Sequence, residues 1–259
     1  MAIDFETISK KLNTNCIGKP LHVYESVSST NDVIREFERE NGLTVIAKSQ
    51  TNGRGRLGRS WASGDGGIYL SFMLTRPFEV ADIPVITIIA GISVCLAIER
   101  YVPCHIKWPN DIVINGKKVC GILAQGISTD GKTDAVIVGI GINANTNAFS
   151  GDIENTATSI NLECKKDIDE NALICDILEN FECLYYSTDK NAVMDIFKQK
   201  CITLNSEVTV HFHSGKGDIK GVCTDILPDA SLEVTTNGGE RIYVSSGEVS
   251  VRGIYGYAK

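Results

Sequence analysis

The stretch Gly53-Arg54-Gly55-Arg56-Leu57-Gly58-Arg59-Ser60-Trp61 constrains this chain more than any other. Its three glycines reproduce the G-x-G-x-x-G spacing of dinucleotide-binding turns. That use needs a helix opening at the third glycine, because the pyrophosphate rests on the helix N-terminus. Here a β-rich run at 43–49 precedes the loop, and a second glycine-rich turn at 64–67 leads into Ile68-Tyr69-Leu70-Ser71-Phe72-Met73-Leu74. A loop between two strands excludes a Rossmann unit. Glycines bring the backbone close to a ligand because no Cβ intervenes. Arginine forks suit carboxylate and phosphate. The loop therefore reads as an anion cradle, against the alternatives of a solvated basic loop or an RNA-contacting segment.

Around that loop the pattern alternates. Residues 1–20 predict a short helix and a Gly-Lys-Pro turn, and residues 21–26 a strand. Ser28-Ser29-Thr30-Asn31 supplies capping residues for a helix over 32–40. A long apolar helix is expected over 82–101, strands at 105–108, 112–115, 119–125 and 134–142, and helices at 170–187 and 192–201. From residue 205 only short β runs remain, at 207–212, 217–226, 232–236, 241–245 and 248–252. They predict a small antiparallel barrel. Two domains follow, 1–203 and 204–259, with the boundary near Thr203. The 27 residues before Ser28 are too few for a helix-turn-helix.

Composition narrows the classes. With 43% hydrophobic and 22% charged residues the chain reads as folded. A net charge of -7 disfavours non-specific DNA binding. No apolar run is long enough to span a membrane, and the N-terminal residues lack a signal-peptide core, so the cytoplasm is expected. Nine cysteines, an odd number without CxxC spacing, argue against a disulfide framework and a cysteine zinc site. His211 and His213 share a strand face but lack a third ligand, and Cys120 lacks an activating base. No metal site is assigned from the sequence.

Two further clusters carry chemistry. In Lys107-Trp108-Pro109-Asn110-Asp111, a lysine at a strand end can bridge anionic oxygens, and the acid can help hold Mg²⁺ or orient an amine. In Gly139-Ile140-Gly141-Ile142-Asn143, glycines within a strand imply close approach of a ligand or another backbone. Each cluster alone has an ordinary structural reading, as a turn or as packing.

In order, Ser29-Thr30-Asn31, Gln50 with the GRGRLGRSW loop, KWPND, Lys118 with Cys120-Gly121-Ile122-Leu123, and GIGIN resemble the motif series of the biotin–protein ligases. The resemblance covers residues 20–145 closely, and Ser246 to Arg252 resembles the end of that family's small domain. It implies an α+β fold: a mixed sheet flanked by helices, class II synthetase-like, with a C-terminal SH3-like β-barrel. It implies an enzyme that converts biotin and ATP, with Mg²⁺, to biotinyl-5′-AMP and transfers biotin to a lysine of a biotin carboxyl carrier domain of a carboxylase. By the same resemblance Ser29, Thr30, Asn31 and Gln50 hold biotin. Gly53, Arg54, Gly55, Arg56 and Arg59 form the adenylate loop and support phosphates, and Trp61 closes the site. Lys107, beside Asn110 and Asp111, meets the biotin carboxylate and the α-phosphate, with Lys118 and Gly121 nearby. Gly139 and Ile142 line the biotin pocket, and Asn143 reads adenine. Lys107, Arg54 and Arg56 are the expected catalytic cations. Some relatives are also repressors with an N-terminal DNA-binding domain; the monofunctional kind is expected here, without DNA or membrane partners, as monomer or homodimer. A lipoate ligase is the nearest rival, and Gln50 favours a ureido ring over a dithiolane. A non-enzymatic nucleic-acid-binding regulator is the more distant one.

Overall fold

A computed structural model describes residues 3–212, 217–246 and 249–252. In chain order the elements are α1 (Phe5–Lys11), β1 (Leu21–Val27), α2 (Thr30–Val33), β2 (Thr44–Gln50), β3 (Gly67–Phe78), α3 (Asp82–Ile98), β4 (His105–Lys107), β5 (Asp111–Ile114), β6 (Lys117–Thr129) and β7 (Lys132–Asn143). There follow α4 (Ile160–Cys164), α5 (Glu170–Ser187), α6 (Lys190–Lys200), β8 (Glu207–Phe212), β9 (Ile219–Ile226), β10 (Leu232–Thr236), β11 (Arg241–Val244) and β12 (Val249–Arg252). The first seven strands form one sheet in the order β1-β2-β3-β7-β6-β5-β4, parallel between β1 and β2 and antiparallel elsewhere. This is the mixed sheet flanked by helices that the sequence led us to expect.

Strand alternation gives the two faces different chemistry. On β3 and β7, Ile68, Leu70, Phe72 and Leu74 join Val136, Val138, Ile140 and Ile142 in the main core. The helix α3 packs on this side and against α5 in turn, which explains why α3 is apolar nearly all round. The opposite face carries a small core of Ile34, Leu43, Val45, Met73, Ala135 and Ile137. Farther along the same strands this face presents Ser71, Gly139 and Gly141 instead of bulk. The side-chain period of two therefore leaves a hollow on the face away from α3.

The helix expected over 32–40 is shorter. It comprises α2 and a single 3-10 turn, Ile34–Glu36, and Phe37 is already extended. Beyond buried Ile34 only half-buried Phe37 offers apolar surface, too little to hold a further turn in water. The segment preceding α4 also contains a 3-10 turn, Gly151–Ile153, that periodicity did not suggest.

The N-terminal turn is fastened to α5 by a carboxylate. Glu182 accepts hydrogen bonds from the backbone N–H groups of Asn15, Cys16 and Ile17, the last two at 2.7 and 2.8 Å. Burial pushes this carboxyl up, but the three donors outweigh burial and its pKa lies below the usual glutamate value. A depressed pKa stabilises the fold fully above the unfolded-state value, about 4.3, and that contribution is lost as pH falls through the folded-state value. Glu182→Gln is expected to cost about 1–3 kcal/mol at neutral pH, since an amide cannot accept all three bonds. Urea melts of both proteins at neutral pH and near pH 4 check this: the difference narrows on acidification. Equal midpoints at neutral pH would remove the assignment.

The second sheet runs β11-β10-β9-β8-β12, antiparallel throughout, on the strands expected after residue 205. Its inward side chains, among them Val208, Val210, Cys223, Leu232 and Val234, belong to the main core cluster. Trp108 makes the junction. Its backbone N–H donates to Thr203 Oγ1 at 3.0 Å and its indole N–H to the carbonyl of Ala230 at 2.9 Å.

Candidate active site

The hollow on the open face is a cavity of about 270 Å³. Its floor is paved with glycine. Gly121 on β6 lies directly opposite Gly141 on β7, and Gly139 lies two residues back along β7. A Cβ on Gly141 would sit 2.6 Å from Trp61 Nε1, and one on Gly121 2.8 Å from Trp61 Cζ3. The indole thus rests on the paired glycines, with Lys118 Nζ 5.2 Å from its ring centroid, within cation–π range. A Cβ on Gly139 would meet Asn31 Oδ1 at 1.9 Å.

One wall is the turn from β1 into α2. Ser29, Thr30 and Asn31 are all buried there. Gln50 Oε1 accepts from the Thr30 backbone N–H at 2.8 Å, while its Nε2 donates to Ser63 Oγ at 2.9 Å. Asn31 Nδ2 donates to Gln125 Oε1 at 3.1 Å, and Ser71 Oγ donates to Asn31 Oδ1 at 2.6 Å. Ser71 and Gln125 hold Asn31 in place but stand in none of the motifs. A hydroxyl in the middle of an otherwise apolar strand was the signal for Ser71.

The arginine loop forms the roof. It closes on itself through Trp61 N–H to Gly53 O at 2.9 Å and Gly55 N–H to Arg59 O at 2.7 Å. Gly58 has φ +72° and begins no α-helix, as the rejection of a dinucleotide fold required. Arg54 is half-exposed and pairs with Asp32 at 2.9 Å. Arg56 instead turns inward, donating to Asn110 Oδ1 at 3.0 Å and to the carbonyl of Ser246 from the second sheet. Burial pushes its guanidinium down, Asp111 counteracts this, and the neighbouring Arg59 adds to it.

The far wall is the β4–β5 turn, where Lys107 pairs in register with Asp111. Asn110 Nδ2 donates to Ile122 O at 2.8 Å, and Lys118 Nζ lies 2.7 Å from Asp111 Oδ1. Lys107, which its place at a strand end puts at the rim of a site, is buried, 9% exposed. Among the described residues, the cavity wall carries the cations Arg54, Arg56, Arg59, Lys107 and Lys118 and the single carboxylate Asp111. A chain of net charge -7 has concentrated positive charge in one hollow, which draws in and holds anions.

Of the residues expected at the site, the fold brings Ser29, Thr30, Asn31, Gln50, Arg54, Gly55, Arg56, Arg59, Trp61, Lys107, Asn110, Asp111, Lys118, Gly121 and Gly139 to this cavity. Three stand elsewhere. Ile142 points to the helix-covered face and is buried in the main core, as strand alternation requires once Gly139 and Gly141 face the hollow. Asn143 is buried and donates to the carbonyl of Thr158 at 3.0 Å. Gly53 sits behind the loop, where a Cβ would strike Ser63 Oγ and Trp61 O. Gly141, Leu123 and Trp108, which belong to the same motifs but were assigned no role of their own, also line the cavity. His211 pairs with Asp218 at 2.7 Å, and His213 lies outside the described residues. Cys120 is fully buried and desolvation pushes its thiol far up, so it is no nucleophile.

A sequence profile of the Biotin/lipoate A/B protein ligase family matches residues 23–143, which include every motif of the cavity. The fold matches the biotin protein ligase of Aquifex aeolicus, solved in complex with biotin and ATP, with a TM-score of 0.77 and 32% identity, covering 90% of this chain and 99% of that one. This chain belongs to the biotin protein ligase family. Among family members, the bifunctional ligase/repressor BirA of Bacillus subtilis is 37% identical over 182 residues, covering 67% of this chain and 56% of the relative. The chain thus spans little more than half of that relative's length. The biotin--[acetyl-CoA-carboxylase] ligase of Mycobacterium tuberculosis is 28% identical over 221 residues, covering 81% and 79%.

Proposed function

We propose that this protein is an ATP-dependent ligase that activates biotin as biotinyl-5′-AMP and transfers it to a lysine of a biotin carboxyl carrier domain. The observation that carries this reading is the set of five cations around a glycine-paved floor. The first step brings two anions together: a biotin carboxylate oxygen attacks the α-phosphorus of ATP and pyrophosphate leaves. Lys107 and Arg56, which both line the cavity, would meet the two anions and stabilise the charge as it builds, which is the larger part of such catalysis. The magnesium ion enters with ATP as substrate. Phosphate oxygens would supply most of its ligands and Asp111 fits as the carboxylate, a donor set usual for nucleotide-bound Mg²⁺. When bound it neutralises charge on the departing pyrophosphate.

Ser29, Thr30, Asn31 and Gln50 hold the biotin ring, the loop from Gly53 through Arg54, Gly55, Arg56 and Arg59 covers the adenylate, and Trp61 and Lys118 close over the glycine floor. The mixed anhydride survives only where water is kept out. The acceptor lysine then attacks the carbonyl carbon and AMP departs with its electron pair. We place the boundary of the catalytic domain at residue 203, with residues 204–259 as an SH3-like unit whose Ser246 carbonyl anchors the loop. No described helix is long and apolar enough to cross a membrane, and we propose that the protein works in the cytoplasm beside its acceptor.

Pyrophosphate exchange tests the assignment: incorporation into ATP that depends on biotin, and not on lipoate, is expected. Exchange driven by lipoate, or by neither acid, would reject it. The loop yields a second expectation. Arg56→Ala, which loses two hydrogen bonds of a half-buried guanidinium, is expected to release more biotinyl-5′-AMP than Arg54→Ala, which loses a half-exposed ion pair of little worth. Both variants stay folded, and bystander proteins become biotinylated in that order. Wild-type retention of the intermediate in both variants would remove the loop from this role.

A further inference from the structure

On the other side of the sheet, where α3 ends and β4 begins, three ligand-type side chains converge. Cys95 lies in the last turn of α3, Glu99 caps that helix one turn on, and Cys104 directly precedes β4. Their ligating atoms all lie within 4.8 Å of one another. Cys95 Sγ is 3.5 Å from Cys104 Sγ and 3.7 Å from Glu99 Oε1. A tetrahedral zinc ion with Zn–S of about 2.3 Å and Zn–O of about 2.1 Å requires spacings of about 3.8 Å and about 3.6 Å between the same atoms. Two edges of a tetrahedral face therefore already have nearly the required length, and the third, from Cys104 Sγ to the Glu99 carboxylate, is no longer than 4.8 Å.

We propose that Cys95, Glu99 and Cys104 form a structural site for a thiophilic divalent cation, zinc, with water as the fourth ligand. Both cysteines are buried, at 0% and 2% exposure, whereas Glu99 is exposed and opens the path for metal and water. The thiols now point at the carbonyls of each other's residues. Zinc replaces those two thiol protons, which pass to solvent, and leaves the oxidation state of both sulfurs unchanged. Two thiolates, one carboxylate and Zn²⁺ sum to a single negative charge, and Lys200, with its Nζ 2.7 and 2.6 Å from the two Glu99 oxygens, cancels it. A charged partner behind a metal-binding carboxylate is the usual outer-shell arrangement. The spacing Cys-x3-Glu-x4-Cys matches none of the common zinc patterns, which is why the cysteine count argued against such a site; the fold assembles it by turning the chain back from α3 into β4. The site lies away from the biotin and ATP cavity. It clamps α3, α6 and β4, and β4 carries Lys107 three residues after Cys104.

The experiment uses the full chain without a histidine tag, stripped with chelator and titrated with Zn²⁺ alone and with Co²⁺ alone. One zinc per chain is expected, together with a thiolate-to-cobalt charge-transfer band and a higher melting temperature in zinc. Cys104→Ser is expected to abolish the band and the thermal shift, and Glu99→Gln, at an exposed position the fold tolerates, to weaken zinc at least about tenfold. Cys183→Ser, at the exposed cysteine, leaves all three readouts unchanged. Stoichiometric binding unaffected by Cys104→Ser and Glu99→Gln, the absence of any stoichiometric binding, or isolation of the pair as a disulfide lighter by two hydrogens would each overturn the proposal.

Discussion

Lys107→Gln is expected to lose biotin-dependent pyrophosphate exchange by ~100- to 1,000-fold, the range for removing one electrostatic donor at a transition state. The residue is nearly buried, in register with Asp111 at the end of a short strand, among four other cations. A cation placed between carboxylate and α-phosphate gains most as the two are forced together, so its loss falls on the rate of adenylation more than on ground-state binding. Because the side chain is buried, glutamine is the better probe than alanine: it keeps much of the aliphatic stem and avoids opening a cavity beside Trp108. Transfer from chemically supplied biotinyl-5′-AMP is expected to suffer less, since the phosphorus–oxygen bond has already formed. Measuring both half-reactions on one preparation decides the point. An equal loss in both, or no loss in either, would show that Lys107 acts elsewhere.

Gly139→Ala is expected to weaken biotin binding and adenylation by ~100-fold or more, the scale on which a displacement of about 1 Å disables a site. The new methyl would lie 1.9 Å from Asn31 Oδ1. Asn31 cannot simply rotate away, because Ser71 donates to its oxygen and Gln125 accepts from its nitrogen. The whole Ser29–Asn31 wall must shift instead. Gly64→Ala is the matched control: no heavy atom lies within 4 Å of a Cβ there, and it is expected to bind biotin as the wild type does. Isothermal titration with biotin alone separates binding from chemistry. Wild-type affinity in Gly139→Ala would mean that the glycine floor is not where biotin lies.

Much of the cavity was legible because its parts are local. The arginine loop announced itself by residue type, and the absence of a helix at Gly58 followed from the strand that comes next. The β8 to β12 strands were legible from short β runs between turn residues. Ile142 was misplaced because the resemblance treats the GIGIN stretch as one unit, whereas a strand divides it: Gly139 and Gly141 face the hollow, Ile142 the helices. Asn143 shares the face of the glycines but ends the strand, where its amide is taken by the carbonyl of Thr158. The placement of Ile142 could have been read from the period of two; that of Asn143 could not, because Thr158 comes from a later segment. The length of α2 could not, because capping residues start a helix but only buried surface sustains one, and what Phe37 packs against is a tertiary matter.

The sequence by itself determined which residues are suited to the chemistry: cations on a flexible loop, a lysine at a strand end, glycines inside a strand. What only the tertiary structure decided is their meeting. Gly121 faces Gly141 because the β6–β7 hairpin closes through the turn at Asp130-Gly131 and shifts register between Ile127 and Ser128. One residue of slip would set a side chain against the indole of Trp61. Arg56 is held by a carbonyl 190 positions along the chain, at Ser246, and Asn31 by Gln125, 94 away. Cys95 and Cys104 became neighbours in the same way. Propensity and spacing act over a few residues, whereas burial of apolar area on one face of a sheet acts on the whole chain at once and fixes which distant polar groups are left facing each other on the other.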